Sequence, residues 1–237
     1  MRGLLVRVGA DQTHDGGHWN GPVDSRTRRF VYVAIREKGR IRKGLKKPYR
    51  LLESPLAQLG MQLRPRLVNR HMHLDPDFDH LTYGDVRQRA KQIQDKVGQG
   101  DLLVFYAGLR NINDHRRLVY AIIGLYVIES IGLARDVPAR DADINAHTRR
   151  CLKKKAKDIV IRGCKGKSGR LAQCLPIGEY RDRAYRVRND ILEQWGGLKV
   201  RNGYLQRSVR LPEFCDASKF YDWFRHQNTK LVQRNNL

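Results

Sequence analysis

Acidic side chains are scarce in this sequence: 24 Asp and Glu stand against 47 Lys and Arg, a formal net charge of +23 over 237 residues. Self-repulsion at that charge opposes compaction, so the balance calls for a polyanionic partner. Nucleic acid, an anionic membrane surface and an acidic protein all meet that need, and a strongly basic domain is the usual footprint of the first. Long apolar runs are also missing. The longest, Leu118–Ile128, is too short to span a bilayer, which excludes a membrane-crossing helix there. The start, Met1–Ala10, is broken by Arg2 and Arg7, unlike a signal-peptide core. The cysteines, Cys151, Cys164, Cys174 and Cys215, are irregularly spaced and form no CxxC pair. That spacing implies neither a zinc ribbon nor a disulfide framework. A reducing, cytoplasmic setting is expected. No internal repeat is visible.

The basic residues that are present cluster at Arg36–Arg50, Arg149–Lys157, Arg162–Arg170, Arg181–Arg188 and Lys199–Arg210, and apolar residues interrupt every cluster. A disordered basic tail lacks such interruptions. The charge therefore coats a folded chain, long enough to bury a sizeable core. We expect a single domain over residues 1–237, with a core at 1–135 and a basic helical and hairpin extension at 136–237.

Gly3–Val8 reads as a buried strand, and Arg29–Arg36 as a strand covered on both faces, because every residue between its ends is apolar. Glu53–Leu63 predicts a short helix with Pro55 in its first turn. Asp85–Lys96 predicts a helix capped by Asp85, with Val86, Ala90, Ile93 and Val97 at helical spacing. Asp101–Gly108 and Arg117–Ile128 are rich in β-branched and aromatic residues and predict an antiparallel pair joined by a charged loop. Helices are expected over Ala139–Lys157, Tyr180–Gln194 and Ser218–Arg225, and a strand over Lys157–Arg162. Asn202-Gly203 signals a hairpin within Gly196–Arg210. This mix predicts an α+β fold: a central mixed or antiparallel sheet, or a partial barrel, with flanking helices.

Several segments carry candidate chemistry. The loop Asp11–Asp24 holds Asp11, His14, Asp15, His18, Trp19, Asn20 and Asp24 after a buried strand, and Trp19 and Asn20 suit base stacking and base-edge bonding. The run His71–His80 (HMHLDPDFDH) offers His73, Asp75 and Asp77 as general bases or water-positioning groups. Its HxHxD spacing also invites a metal reading, but Pro76 stands where the HxHxDH pattern of metallo-β-lactamases needs its next histidine. Gly163–Ser168 resembles the end of a Walker A loop, yet Ile161 occupies the position of the required first glycine. We therefore expect no nucleotidase, and read Lys165, Lys167 and Arg170 as phosphate contacts. Lys199, Arg201, Arg207 and Arg210 alternate with apolar residues and suit a backbone-tracking surface. No metal or cofactor is assigned.

The blocks LLVRVGAD (4–11), NGPVD (20–24), RFVYVAI (29–35), HLDPDF (73–78), GDLLVFYAGLR (100–110) and LVYAIIGLYVIE (118–129) occur in this order. Over residues 3–130 the chain resembles the third of the nucleotide-modification-associated domain families. Asp11, Gly17, Pro22, His73, Asp75, Asp77, Gly100, Asp101 and Arg110 fall on that family's recurrent polar or turn positions. The resemblance implies a setting in phage and bacterial systems that make, read or remove modified DNA bases, and carries no catalytic assignment. The strand pair led by Gly100-Asp101 also resembles base-reading PUA-like barrels.

The function expected is recognition of a modified or specific base in double-stranded DNA, taken out of the stack, followed by excision, cleavage beside it or modification. Trp19, Tyr83 and Tyr106 are the candidate stacking groups. Asp11, His73, Asp75 and Asp77 are the candidate acid and base groups, and Arg110 the stabiliser of developing negative charge. One alternative is a non-catalytic PUA-like reader of modified DNA or RNA. The other is a metal-dependent nuclease using His71, His73, Asp75 and Asp77.

Overall fold

A computed structural model describes residues 1–13, 19–114, 116, 118–206 and 209–237. The chain runs β1 (Gly3–Arg7), β2 (Pro22–Val23), β3 (Ile35–Arg36), α1 (Glu53–Ala57), β4 (Met72–His73), β5 (Thr82–Asp85), α2 (Arg87–Lys96) and β6 (Leu102–Asn111). It continues through β7 (Leu118–Leu133), α3 (Ala146–Arg149), β8 (Ile159–Gly163), β9 (Gly169–Pro176), β10 (Gly178–Arg181) and β11 (Ala184–Val187). Then come α4 (Asn189–Gln194), α5 (Ala217–Arg225) and β12 (Leu231–Val232). Among the described residues the fold is α+β, with a large mixed sheet, few helices and no closed barrel. Among the described residues, no helix is long and apolar enough to cross a membrane.

The sheet is eight-stranded and is built around β7. β1 lies parallel to β6, with Leu4 opposite Leu103, and β6 runs antiparallel to β7 from Leu102–Val127 to Arg110–Leu118. The register of β7 shifts between Ile122 and Gly124 and again between Ile128 and Ser130. Bulges of this kind bend a strand. Before the second shift β7 pairs with β9, and from Ile128 onward it pairs with β8, which carries β5. Residues of β6 alternate between two cores. Leu103, Phe105 and Ala107 enter one, and Leu102, Val104 and Tyr106 enter the other. Both faces are covered, which is why the strand reads as a continuous apolar run. Each fully buried large side chain there contributes about 1.5–3 kcal/mol.

The predicted strands at Gly3–Val8, Asp101–Gly108, Arg117–Ile128 and Lys157–Arg162 correspond to β1, β6, β7 and β8, and Ser218–Arg225 to α5. Elsewhere tertiary contacts redirect the chain. Phe30–Ala34 is buried but pairs as a strand only from Ile35. Its backbone is met instead by several segments: Val31 N–H donates to Pro22 O, Val33 O accepts the Ala10 N–H, and Tyr32 N–H donates to Asn236 Oδ1 at 2.7 Å. Asp85 ends β5 and does not cap α2, whose N-cap is Val86. The expected helix at Ala139–Lys157 is a 3-10 turn, Ala139–Ile144, followed by the single turn α3. The first part of the expected Tyr180–Gln194 helix is the β10–β11 hairpin. Asp182 and Arg183 turn it with φ of 50° and 60°, and Tyr185 stacks on Tyr120 at 4.3 Å. Asn202 and Gly203 take the positive φ expected of them, but no hairpin forms. Leu198 pairs with Phe214 and Tyr204 with Arg186.

A histidine–carboxylate cavity ringed by arginine

Segments far apart in sequence converge on one cavity of about 400 Å³. β1 and its exit bring Arg7 and Asp11. The end of β3 brings Arg36 and Lys38, the exit of β4 brings His73 and Asp75, β5 brings Tyr83, Gly84 and Asp85, and α2 brings Arg89. The α3 region adds His147 and Arg150.

Pairing of β3 with β4 sets Ile35 opposite His73. It thereby brings the buried carboxylate of Glu37 to 2.6 Å from His73 Nδ1. Arg150 closes on the same carboxylate at 2.8 Å. Burial alone would raise Glu37, but hydrogen bonds from His73, Arg150 and the Gly39 N–H outweigh it and bring the carboxyl down to about 2. His73 is held below its ordinary value by burial, against the pull of Glu37.

Asp75 lies between the two imidazoles. Its carboxylate accepts the Gly84 N–H at 2.8 Å and Asn145 Nδ2 at 3.0 Å. His147 reaches it because Asn145 starts α3 with a capping box, its Oδ1 accepting the His147 N–H at 2.9 Å. Gly84 permits the approach: a Cβ there would lie 2.3 Å from His147 Cδ2. On the far side, His147 Nδ1 sits 2.8 Å from Asp158 Oδ1, just before β8. Burial would lower His147, but its bonds to Asp158 and Asp75 outweigh it and raise the ring to about 9.

The rest of the wall is made of paired charges. Asp11 is 3.3 Å from Arg7 and accepts the Thr13 N–H at 2.9 Å. Asp85 binds Arg89 at 3.0 Å and accepts the Tyr83 hydroxyl at 2.5 Å. Arg7 and Arg89 also line an adjoining small cavity of about 60 Å³ with Tyr106 and Arg210.

Asp11, His73, Asp75 and Tyr83 are thus together. Other residues singled out in the sequence lie elsewhere. Asp77 is fully buried beneath the loop, bonded to Arg149 and Asn235. His71 bridges back to Pro48 and is not on the cavity wall. Arg110 lies at the far end of β6, in register with Pro22. Trp19 is a core residue under Arg64, and Asn20 donates to Gly108 O at 2.6 Å. Tyr106 donates its hydroxyl to Leu205 O at 2.7 Å. Arg170, expected as a phosphate contact, is 1% exposed, donates to Phe30 O at 2.6 Å and lies over the Phe30 ring. It therefore cannot meet a backbone outside. Lys165 and Lys167 are exposed on the β8–β9 turn, at the end of β8 away from Asp158. Lys199 is exposed and pairs with Glu213 at 3.0 Å, and Arg201 is exposed. Arg207 lies outside the described residues, as do His14, Asp15, Gly17 and His18.

Sequence reasoning missed Glu37, Asn145, His147, Arg150 and Asp158. The one local signal was the capping pattern of Asn145 and Thr148. Nothing in it says that the intervening histidine turns inward.

Fold and site together define an α+β protein with a buried histidine–carboxylate cluster opening into an arginine-rimmed cavity. The family model for nucleotide modification associated domain 3 matches residues 2–215, and the chain belongs to that family. The match runs well beyond the segment whose motifs resemble it. Comparison with curated proteins finds no match. Among solved structures, the N-terminal domain of Thermococcus gammatolerans McrB bound to m5C DNA aligns with 15% identity and a TM-score of 0.37. That alignment covers 96% of this chain and 99% of that one.

Proposed function

We propose that this protein recognises a modified base in DNA by drawing it out of the stack into the arginine-rimmed cavity, and acts on it there. The observation that carries this reading is the convergence of Asp11, His73, Asp75, Tyr83, Asp85 and His147 in one space with Arg7, Arg36, Lys38, Arg89 and Arg150 on its wall. About 400 Å³ lies within the roughly 300–1,000 Å³ typical of small-molecule sites. Chemistry on a base requires extruding it from the duplex, because its reactive atoms are otherwise enclosed. Guanidinium groups suit the flanking phosphates. Carboxylates and imidazoles at the inner end suit the hydrogen-bonding edge of a base and the reacting atoms beside it. Membership in a nucleotide-modification family supports the same partner.

The test uses duplexes that differ only in one modified base, each with 2-aminopurine beside it. Tighter binding to the modified duplex with a rise in 2-aminopurine fluorescence is expected. Products separate the reactions: abasic sites formed in EDTA mean excision, metal-dependent breaks mean cleavage, and a mass change in the nucleoside means modification. Asp75→Asn should keep binding and lose product. Equal binding to plain and modified duplexes with no fluorescence change overturns the reading. Preferential binding with no product on any substrate makes the protein a reader.

A further inference from the structure

We propose that His73, Asp75 and His147 bind a divalent transition-metal ion at the inner end of the cavity. The sequence offered His71, His73, Asp75 and Asp77 as a metal-ligand set, whereas the fold joins His73 and Asp75 to His147, which is remote from them in sequence. In the fold one ligand atom from each lies within 4.8 Å of the others.

The orientation of the rings points to a cation. His73 Nδ1 is occupied by the Glu37 carboxylate and His147 Nδ1 by Asp158. A carboxylate behind each imidazole is the outer-shell arrangement that fixes the tautomer of metal-ligating histidines. Both Nε2 atoms therefore turn inward, at 4.0 Å and 3.5 Å from the same oxygen, Asp75 Oδ2. Two imidazole nitrogens and one carboxylate oxygen that converge in this way form a donor set suited to a transition-metal ion. The Gly84 and Asn145 hydrogen bonds hold Asp75 so that this oxygen stays aimed at the rings.

Charge and spacing agree. The carboxylates of Glu37, Asp75 and Asp158 stand beside the two rings, with Arg150 paired to Glu37. Arg7 and Arg89, farther out, are already matched by Asp11 and Asp85. Donors on one ion at about 2.0–2.2 Å lie roughly 3–4 Å from one another, so the widest gap must close by roughly 1 Å. Two imidazoles and one carboxylate leave coordination positions open, and the cavity is the open side.

This site is independent of the nucleic-acid reading, and its test contains no DNA. The full chain, stripped with chelator, is dialysed against Zn²⁺, Mn²⁺ or anaerobic Fe²⁺ and its metal content measured. One ion per chain is expected, and Co²⁺ in its place should give visible d–d absorption. His147→Gln and His73→Gln should weaken binding at least tenfold. Glu37→Gln and Asp158→Asn should weaken it about 10–100-fold while leaving the ligands in place. Because a buried substitution can prevent folding, the wild-type chain supplies a second readout: Zn²⁺ should shift the ring-nitrogen resonances of His73 and His147. Substoichiometric metal, resonances of other histidines shifting instead, or folded His147→Gln and Asp75→Asn variants that bind as tightly as wild type would overturn the proposal.

Discussion

Asp77 shows how a single side chain serves a site it does not enter. Its carboxylate sits beneath the loop that carries Asp75, where it accepts the Asp79 N–H at 3.1 Å and Asn235 Nδ2 at 3.1 Å, and pairs with Arg149. Burial would raise this carboxyl, but His80 and Arg149 hold it below the ordinary carboxylate range. Arg149 in turn bonds Asp143 at 2.8 Å, so its side chain joins the end of α3 to the preceding 3-10 turn as well as to the loop. Removing one partner of a buried pair leaves the other charge uncompensated. Arg149→Met should therefore destabilise the fold by about 3–5 kcal/mol, read as a lower denaturant midpoint at unchanged m-value. A change under about 1 kcal/mol would mean that the pair is as weak as a surface one.

At the scale of elements, the site depends on how strands and short turns are fastened to one another. β1 enters the sheet beside β6, and Asp101 clasps its start. That carboxylate accepts the Arg2 N–H at 2.7 Å and the Gly98 N–H at 2.9 Å, so it joins β1 to the turn after α2. Burial opposes ionisation, yet these bonds and the Arg2 charge keep the carboxyl below its ordinary 3.8. A depressed folded-state value stabilises the protein above the unfolded-state value, and the stabilisation is lost as pH falls below it. Asp101→Asn should therefore lower stability at pH 6 and flatten the decline of the unfolding midpoint below about pH 4. Parallel acid profiles for variant and wild type would remove Asp101 from that role.

For the whole molecule, net charge decides how it meets a polyanion. Binding to a plain duplex should weaken steeply with salt, because each phosphate contact releases condensed counterions. Arg36 and Lys38 stand on the cavity wall and are exposed. Replacing both with alanine should reduce the slope of log K against log salt by about 2, roughly one per contact. Fluorescence anisotropy over a salt series checks this, and an unchanged slope would put the duplex on another face.

Local pattern was enough for much of this protein. Charge balance called for a polyanion, the apolar runs of β6 and β7 marked the centre of the sheet, and the HLDPDF block marked His73 and Asp75. These features are encoded by neighbours in sequence, because strand burial and loop composition are local properties. Tertiary structure decided which polar residues work together. Asp77 and Asp75 are two residues apart, yet one is sealed under the loop by Arg149 and the other faces the cavity. Arg170 looked like a surface cation, but packing turned it onto Phe30. His147 had no local mark beyond the capping pattern of Asn145 and Thr148 on either side of it. It joins the cluster because Gly84 leaves room for it, Asn145 turns α3 toward Asp75, and Asp158 orients its ring. Gly84 and Asp75 lie more than sixty residues before α3, so no pattern of neighbouring residues could record their meeting with His147.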